Sequence, residues 1–219
     1  MSAGPTFPVH LELPGWDLFW AFLEVEPGSA GGGRLAALRH EVSELARASL
    51  EGIDLASHAT AAALRKLFRA AGTDPTRYRP ASEALLRRVL KGEDLPEIHP
   101  LVDINNCLSV ELAVPCCVAA EGTFTPPLVL RAGRQGESYE SLKGPFNLEG
   151  KPLLADAEGP LDTPITGSVR VKVRPETQRA WLVAYLPEGV VTRERCGEAL
   201  AELLAKAGVV RVGAAVERT

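Results

Sequence analysis

Two adjacent amides, Asn105 and Asn106, follow an acid, Asp103, within the apolar segment Leu101–Pro115. Such side chains can orient a water, donate to a developing oxyanion, or seat an ammonium group. Farther along, Arg131 adds a guanidinium suited to a terminal phosphate, and Glu137 and Asp156 add carboxylates suited to an ammonium or a water. His99 precedes Pro100 and either caps the Asn-bearing segment or sits beside its pocket. Each residue also has a plainer reading. Buried amides are mostly structural braces. Glu137 follows Gly136 at a strand turn, Asp156 precedes the Gly159-Pro160 turn, and Arg131 can simply pair with an acid. A pocket between the start of the Asn-bearing segment and the Arg131–Glu137 turn would give these groups a joint use.

Other constellations offer less. The four histidines, His10, His40, His58 and His99, fall at no metal-ligand spacing, so no metal and no cofactor is expected. Cys116 and Cys117 are adjacent and form no Cys-x-x-Cys motif, which with Cys107 and Cys196 suggests reduced thiols in a cytoplasmic protein. Cys117 and His99 could imitate a thiol–base pair. Cys116-Cys117-Val118-Ala119 nevertheless reads as a buried strand, where thiols are inert, so Cys117 is not expected to be catalytic. Aromatics make up only 5% of the chain, so base stacking is not expected to be the main source of any nucleic-acid affinity.

Charge is unevenly spread. Residues 65–91 hold eight basic side chains against two acids, Asp74 and Glu83, a local charge of +6 in a chain of net −4. Arginine dominates, and Arg77, Arg79, Arg87 and Arg88 are candidates for phosphate contacts. The alternative is a pair of helices with solvated basic faces.

These residues need elements to position them. Leu101, Ile104, Leu108 and Leu112 recur at helical spacing, with Asp103 in the first turn and Pro115 as the stop. Leu35, Leu38, Val42 and Leu45 define a helix over about 34–50. A second ends near Gly72, and a third runs from Ser82, as N-cap, to Lys91. Leu18–Leu23, Leu128–Arg131, Pro152–Asp156 and Ala180–Leu186 read as strands, and Ser168–Val173 alternates strictly like another. Thr192 caps a last helix closed by Gly208, and Val209–Val212 can form an edge strand. Gly28–Gly33 is a loop without a phosphate-loop ending. The pattern is α+β, a helical N-terminal part followed by a mixed β-sheet core. Residues 1–33 form an N-terminal strand and loop packed on a single domain over 34–219. No apolar run is long enough to span a membrane, and Met1–Pro14 lacks the features of a secretory signal.

The segments Asp74–Gly92, Leu101–Pro115, Leu130-Arg131 with Gly136-Glu137, and Ala155-Asp156 resemble free-standing B3/4-domain proteins, over roughly 35–190. Those resemble the B3/B4 editing domain of the phenylalanyl-tRNA synthetase beta chain. The resemblance implies a three-layer α/β unit that hydrolyses the ester of a mischarged tRNA. Asn105, Asn106 and Glu137 would be catalytic, and Asp103, Arg131, Asp156 and His99 would bind substrate. The partner would be aminoacyl-tRNA, with neither DNA nor membrane, and the oligomeric state stays open. No synthetase module for amino-acid activation is expected. Cys116-Cys117 stands where the synthetase domain has a histidine. Leu161–Thr166 occupies the region of the glutamate that there reads a tyrosine hydroxyl. Two functions therefore remain: a trans-acting deacylase, or a non-catalytic module gripping RNA or an amino acid.

Overall fold

The computed structural model describes residues 7–27 and 32–213. In chain order the elements are β1 (Val9–Leu11), β2 (Trp16–Val25), α1 (Gly32–Ser49), α2 (Ala59–Ala70), α3 (Ala81–Val89), α4 (Pro100–Leu112), β3 (Cys116–Ala120), β4 (Leu128–Ala132), β5 (Ser138–Ser141), β6 (Gly144–Asn147), β7 (Pro152–Asp156), β8 (Gly159–Asp162), β9 (Arg179–Pro187), α5 (Arg193–Ala207) and β10 (Val210–Val212). Part of the Gly28–Gly33 loop lies outside the described residues.

The two long strands explain the layering. Along β2, Leu18, Trp20 and Phe22 point to one face, and Phe19, Ala21 and Leu23 to the other. A strand buried on both faces needs cover on both. One sheet, in the order β10-β2-β9-β3, is antiparallel throughout. On one side lie α1, α3, α4 and α5, which bury Leu38, Leu86, Ile104, Leu108 and Leu200 against it. On the other lie α2, through Leu64 and Phe68, and the inner face of a second sheet, through Leu128, Leu130, Leu154 and Leu161. That sheet runs β1-β4-β7-β8 and is mixed, because β1 pairs with β4 in parallel. Its outer face packs Leu153 and Ala155 beneath Tyr139 and Phe146 of the β5–β6 hairpin. The fold is α+β. Residues 7–27 supply strands to both sheets.

Three local expectations change. Ser168–Val173 forms no strand, only a bridge from Ser168 to Ser141 followed by a turn. Arg170 turns inward to clamp Asp156 at 2.6 and 2.9 Å, and Val171 alone of the three valines is fully buried. Ser82 is not the N-cap of α3. Pro80 holds that position without a side-chain bond, and the Ala81 amide donates to Pro164 O at 2.8 Å. Helix α4 closes before Pro115, at Ala113, whose φ of 56° is left-handed. Thr192 and Gly208 cap α5 at its two ends, Thr192 accepting from the Arg195 amide.

Candidate functional site

The start of α4 is tied down by its own polar groups. The His99 side chain accepts from the Leu101 amide at 3.3 Å through Nδ1. Burial holds the His99 pKa below its ordinary value, with Asp103 opposing, which keeps that lone pair free to accept. Asp103 accepts from the Ile98 and His99 amides at 2.9 and 3.2 Å and from Arg39 at 2.6 Å. Asn105 Nδ2 donates to Asn106 Oδ1 at 3.3 Å and to Cys116 O at 3.5 Å. The helix is thus braced to the start of β3, but by long bonds. Asn105 Oδ1 is buried with no hydrogen-bond partner among the described residues.

Arg131 and Glu137 form a two-bond pair at 2.6 and 2.8 Å, and Glu137 also accepts from the Arg134 amide. The bonds from Arg131 hold the Glu137 carboxyl below its ordinary pKa. Asp156 accepts from the Thr125 and Glu158 amides and from both Arg170 nitrogens. Arg131 alternates with inward-facing Leu130 and pairs across β7 with Leu153, so its side chain lies on the outer face of the second sheet. Asn105 and Asn106 sit in the helical layer beyond the first sheet. The pocket expected between these groups is not formed among the described residues, because both sheets stand between them.

A different carboxylate was missed. Asp162 ends β8 and is 1% exposed, facing the layer between the sheets. Tyr185, reaching across from β9, donates to Asp162 Oδ2 at 2.9 Å. Oδ1 has no well-formed hydrogen bond among the described residues. Burial raises the carboxyl pKa from 3.8 to about 7, although Cys117, Tyr185 and the Thr163 backbone draw it back. Among the described residues no cation is bonded to it, whereas Asp103, Glu137 and Asp156 each have an arginine. Tyr139 donates to Thr166 O at 2.6 Å and lies 3.3 Å from Thr163 Oγ1, tying the β5–β6 hairpin to the turn that follows Asp162. Burial pushes the thiols of Cys116 and Cys117 well above their ordinary pKa, so both stay protonated. A carboxyl titrating near neutral pH beside a phenol is suited to taking and returning a proton. In the sequence, Asp162 fell within the Leu161–Thr166 segment and was not singled out as a site residue. The one available signal was an acid flanked by Leu161 and the Thr163-Pro164 turn.

The basic segment is organised by a buried acid. Glu83 receives two bonds from Arg65, at 2.7 and 2.9 Å, and one from Arg87 at 3.0 Å, with Arg79 at 3.9 Å. Burial alone would raise its pKa, but Arg65 and Arg87 hold it below the ordinary value. Arg79, Arg87 and Arg77 line a cleft of about 450 Å³ between α3 and the β5–β6 hairpin. The floor of this cleft includes Ile165 and Thr166, whose carbonyl Tyr139 holds. Arg88 turns elsewhere, to Glu93 at 2.7 Å and Asp94 O at 3.2 Å. His40, Glu44 and Asp94 offer ligand atoms within 4.8 Å of one another on the surface, a grouping that sequence spacing did not reveal. The Arg47 guanidinium already bonds both acids.

A comparison with protein families matches residues 63–202 to the B3/4 domain. The chain belongs to the B3/4 domain family. Among solved structures, the B3/4 chain is similar to an N-terminal fragment of the phenylalanyl-tRNA synthetase beta-subunit from Pyrococcus horikoshii. Identity is 15% and the TM-score 0.48, over 96% of this chain and 52% of that one. It thus spans about half the length of that fragment. A search of curated proteins found no match. No helix among the described residues is long and apolar enough to cross a membrane.

Proposed function

We propose that this B3/4 domain hydrolyses the ester linking an amino acid to tRNA, acting in trans on mischarged molecules in the cytoplasm. The observation that carries this reading is the buried Asp162 carboxyl, which among the described residues has no cation bonded to it, no well-formed hydrogen bond at Oδ1 and Tyr185 on Oδ2. An aminoacyl ester is already activated, so a placed water, a proton acceptor and a hydroxyl donor suffice. Asp162 takes the proton from water, and Tyr185 fixes the carboxyl. Asn105 acts through the peptide it holds at Cys116, next to Cys117 on the Asp162 side of β3. Asn106 supports Asn105. Glu137, Arg131, Asp156, Asp103 and His99 belong to pairs and caps that shape the scaffold.

A second reading is favoured by one observation. Asp162 is sealed, at 1% exposure, while Ile165 and Thr166, a few residues on, line the cationic cleft. A module that grips an RNA end without cleaving it would keep the cleft and leave Asp162 closed. A deacylation screen across a panel of mischarged tRNAs, run with wild type and Asp162→Asn, separates the two. Hydrolysis lost in the variant supports the enzyme. RNA binding with no hydrolysis of any panel member supports the binding module.

A further inference from the structure

We infer that a small cavity on the helical side of the first sheet takes a short branched-chain carboxylate. Its anion sits on Arg39 in place of Glu97, and its aliphatic chain lies against Leu35, Ile98 and Val209. The cavity has a volume of about 160 Å³ and lies between α1, the end of β2, Val209 and the segment leading into α4. It is separate from Asp162, whose partner Tyr185 faces the other side of that sheet. Arg39 decides the charge of the occupant. Its side chain is 8% exposed and reaches in from α1. Nη1 donates to Asp103 at 2.6 Å and Nη2 to Glu97 at 2.8 Å. The two acids are not equivalent. Asp103 is buried and also accepts from the Ile98 and His99 amides, so it is fixed. Glu97 is 77% exposed and has no other partner among the described residues. An exposed carboxylate gains little from an ion pair, because water serves it nearly as well. A buried guanidinium left without an acceptor loses far more. Arg39 therefore needs an anion at Nη2, and Glu97 fills that place from a position where it can swing into solvent.

The rest of the lining sets the body of the ligand. Val25, Leu35 and Val209 are apolar, and Ile98 lies at the cavity with 61% of its surface uncovered. Its amide is pinned by Asp103, so the side chain is held there. A branched aliphatic chain entering the cavity covers it and loses its own contact with water. Sites for drug-sized molecules measure roughly 300–1,000 Å³, so this one suits a much smaller body and excludes a nucleotide. A monocarboxylate exchanges for Glu97 with no change in the charge around Arg39, whereas phosphate adds negative charge beside Asp103. The polar groups of the lining are already engaged. Asp103 takes Arg39 and two amides, and His99 Nδ1 takes the Leu101 amide. An α-ammonium would lie beside the bound carboxylate with no free acceptor among them, and an unpaired charge is costly there. The site therefore prefers the carboxylate to the corresponding amino acid.

The test is backbone-amide NMR of the full chain titrated with sodium isovalerate, with isovaleramide, valine and sodium phosphate as comparisons and thermal melting in parallel. Expected are saturable shifts at Leu35, Ile98 and Val209, none at Asp162, and a melting temperature that rises with isovalerate. Isovaleramide and phosphate give no saturable shift, and valine binds about tenfold more weakly or worse. Two variants at exposed side chains carry opposite signs. Glu97→Ala removes the competing anion and is expected to tighten isovalerate about threefold. Ile98→Ala removes apolar cover and is expected to weaken it about threefold. Arg39→Gln is expected to abolish binding. Because it also strips Asp103 of its cation and endangers the fold, the Glu97 and Ile98 variants carry the decision. No saturable shift at these residues in wild type or Glu97→Ala would reduce Arg39–Glu97 to a structural pair and overturn the inference. So would unchanged or weaker binding in Glu97→Ala, or isovaleramide or valine binding as tightly as isovalerate.

Discussion

Asp103, Glu137 and Asp156 sit in or near the core with an arginine and at least one backbone amide each. Asp162 sits deeper between the sheets, beside a phenol and a thiol, with no cation bonded to it among the described residues. The first three resemble one another because burying a carboxylate costs several kcal/mol unless charge and hydrogen bonds are returned to it. They are the inexpensive solution, and they hold segments together. The β4–β5 turn is pinned by Arg131–Glu137, and the 168–171 turn is drawn onto β7 by Arg170–Asp156. Asp162 lacks that compensation, and its environment raises its pKa instead of lowering it. A buried carboxyl with no cation beside it, among carboxylates that each have one, is where a perturbed pKa points to use and not only to scaffold.

The sharpest way to break this contrast is activity. Asp162→Asn is expected to lower deacylation by about 10²–10⁴-fold, the usual contribution of a positioned general base. Glu137→Gln is expected to stay within a few-fold of wild type, read as kcat/KM on the same mischarged tRNA. If Glu137→Gln abolished hydrolysis with the fold intact while Asp162→Asn spared it, the roles would be reversed.

Stability against pH gives the next largest effect, and the two kinds of carboxylate carry opposite signs. The Asp162 pKa rises from 3.8 to about 7 on folding, so the native state holds a proton that the unfolded chain has lost between those values. Stability attributable to this group therefore falls as pH climbs from about 4 to about 7, by about 4 kcal/mol in all. Asp162→Asn is expected to remove that decline, so chemical denaturation at pH 8 should find the variant more stable than wild type. Glu137, Asp156 and Glu83 are held below their ordinary values, so their stabilisation is present above the carboxylate range and lost as pH falls through it. Glu137→Gln, which leaves Arg131 without its counter-charge, is expected to cost about 1–3 kcal/mol at pH 7 and progressively less toward pH 3. A pH-independent cost would show that the Arg131–Glu137 pair does not stabilise through its charge.

The contrast also explains what could be read in the sequence. The elements were legible where apolar residues run unbroken, as in β2 and β9, or recur at helical spacing, as in α1 and α5, and where a cap sits in its local place, as Thr192 and Gly208 do. Val169, Val171 and Val173 alternate in type without alternating in burial, because Arg170 is recruited by Asp156, fourteen residues away. Pairings over such distances, and over the 64 residues between Arg39 and Asp103, leave no trace in local spacing. Candidate carboxylates could be picked out, but whether an arginine from another element would occupy them could not. Asp162 was invisible for the converse reason. Its distinction is what fails to reach it, and that is a property of three dimensions alone.

Asn105 stands between the two classes and gives the smallest and most discriminating effect. Its Nδ2 makes only long bonds, at 3.3 and 3.5 Å, while its Oδ1 is buried with no partner among the described residues. Asn105→Ala removes the weak bonds, worth about 0.5–1.5 kcal/mol each at ordinary length, and also relieves the cost of an orphaned acceptor, about 1–3 kcal/mol. These contributions oppose each other, so the net change in stability is expected to lie within about 1 kcal/mol, read as an unchanged m-value and a small shift in denaturation midpoint. If Asn105 supports Asp162 through the Cys116 peptide, the same substitution should still lower kcat severalfold while leaving KM in place, because it displaces a supporting strand and not a substrate contact. A loss of more than about 3 kcal/mol in Asn105→Ala, with hydrolysis per folded molecule unchanged, would place Asn105 with the clamped group and leave Asp162 alone in its class.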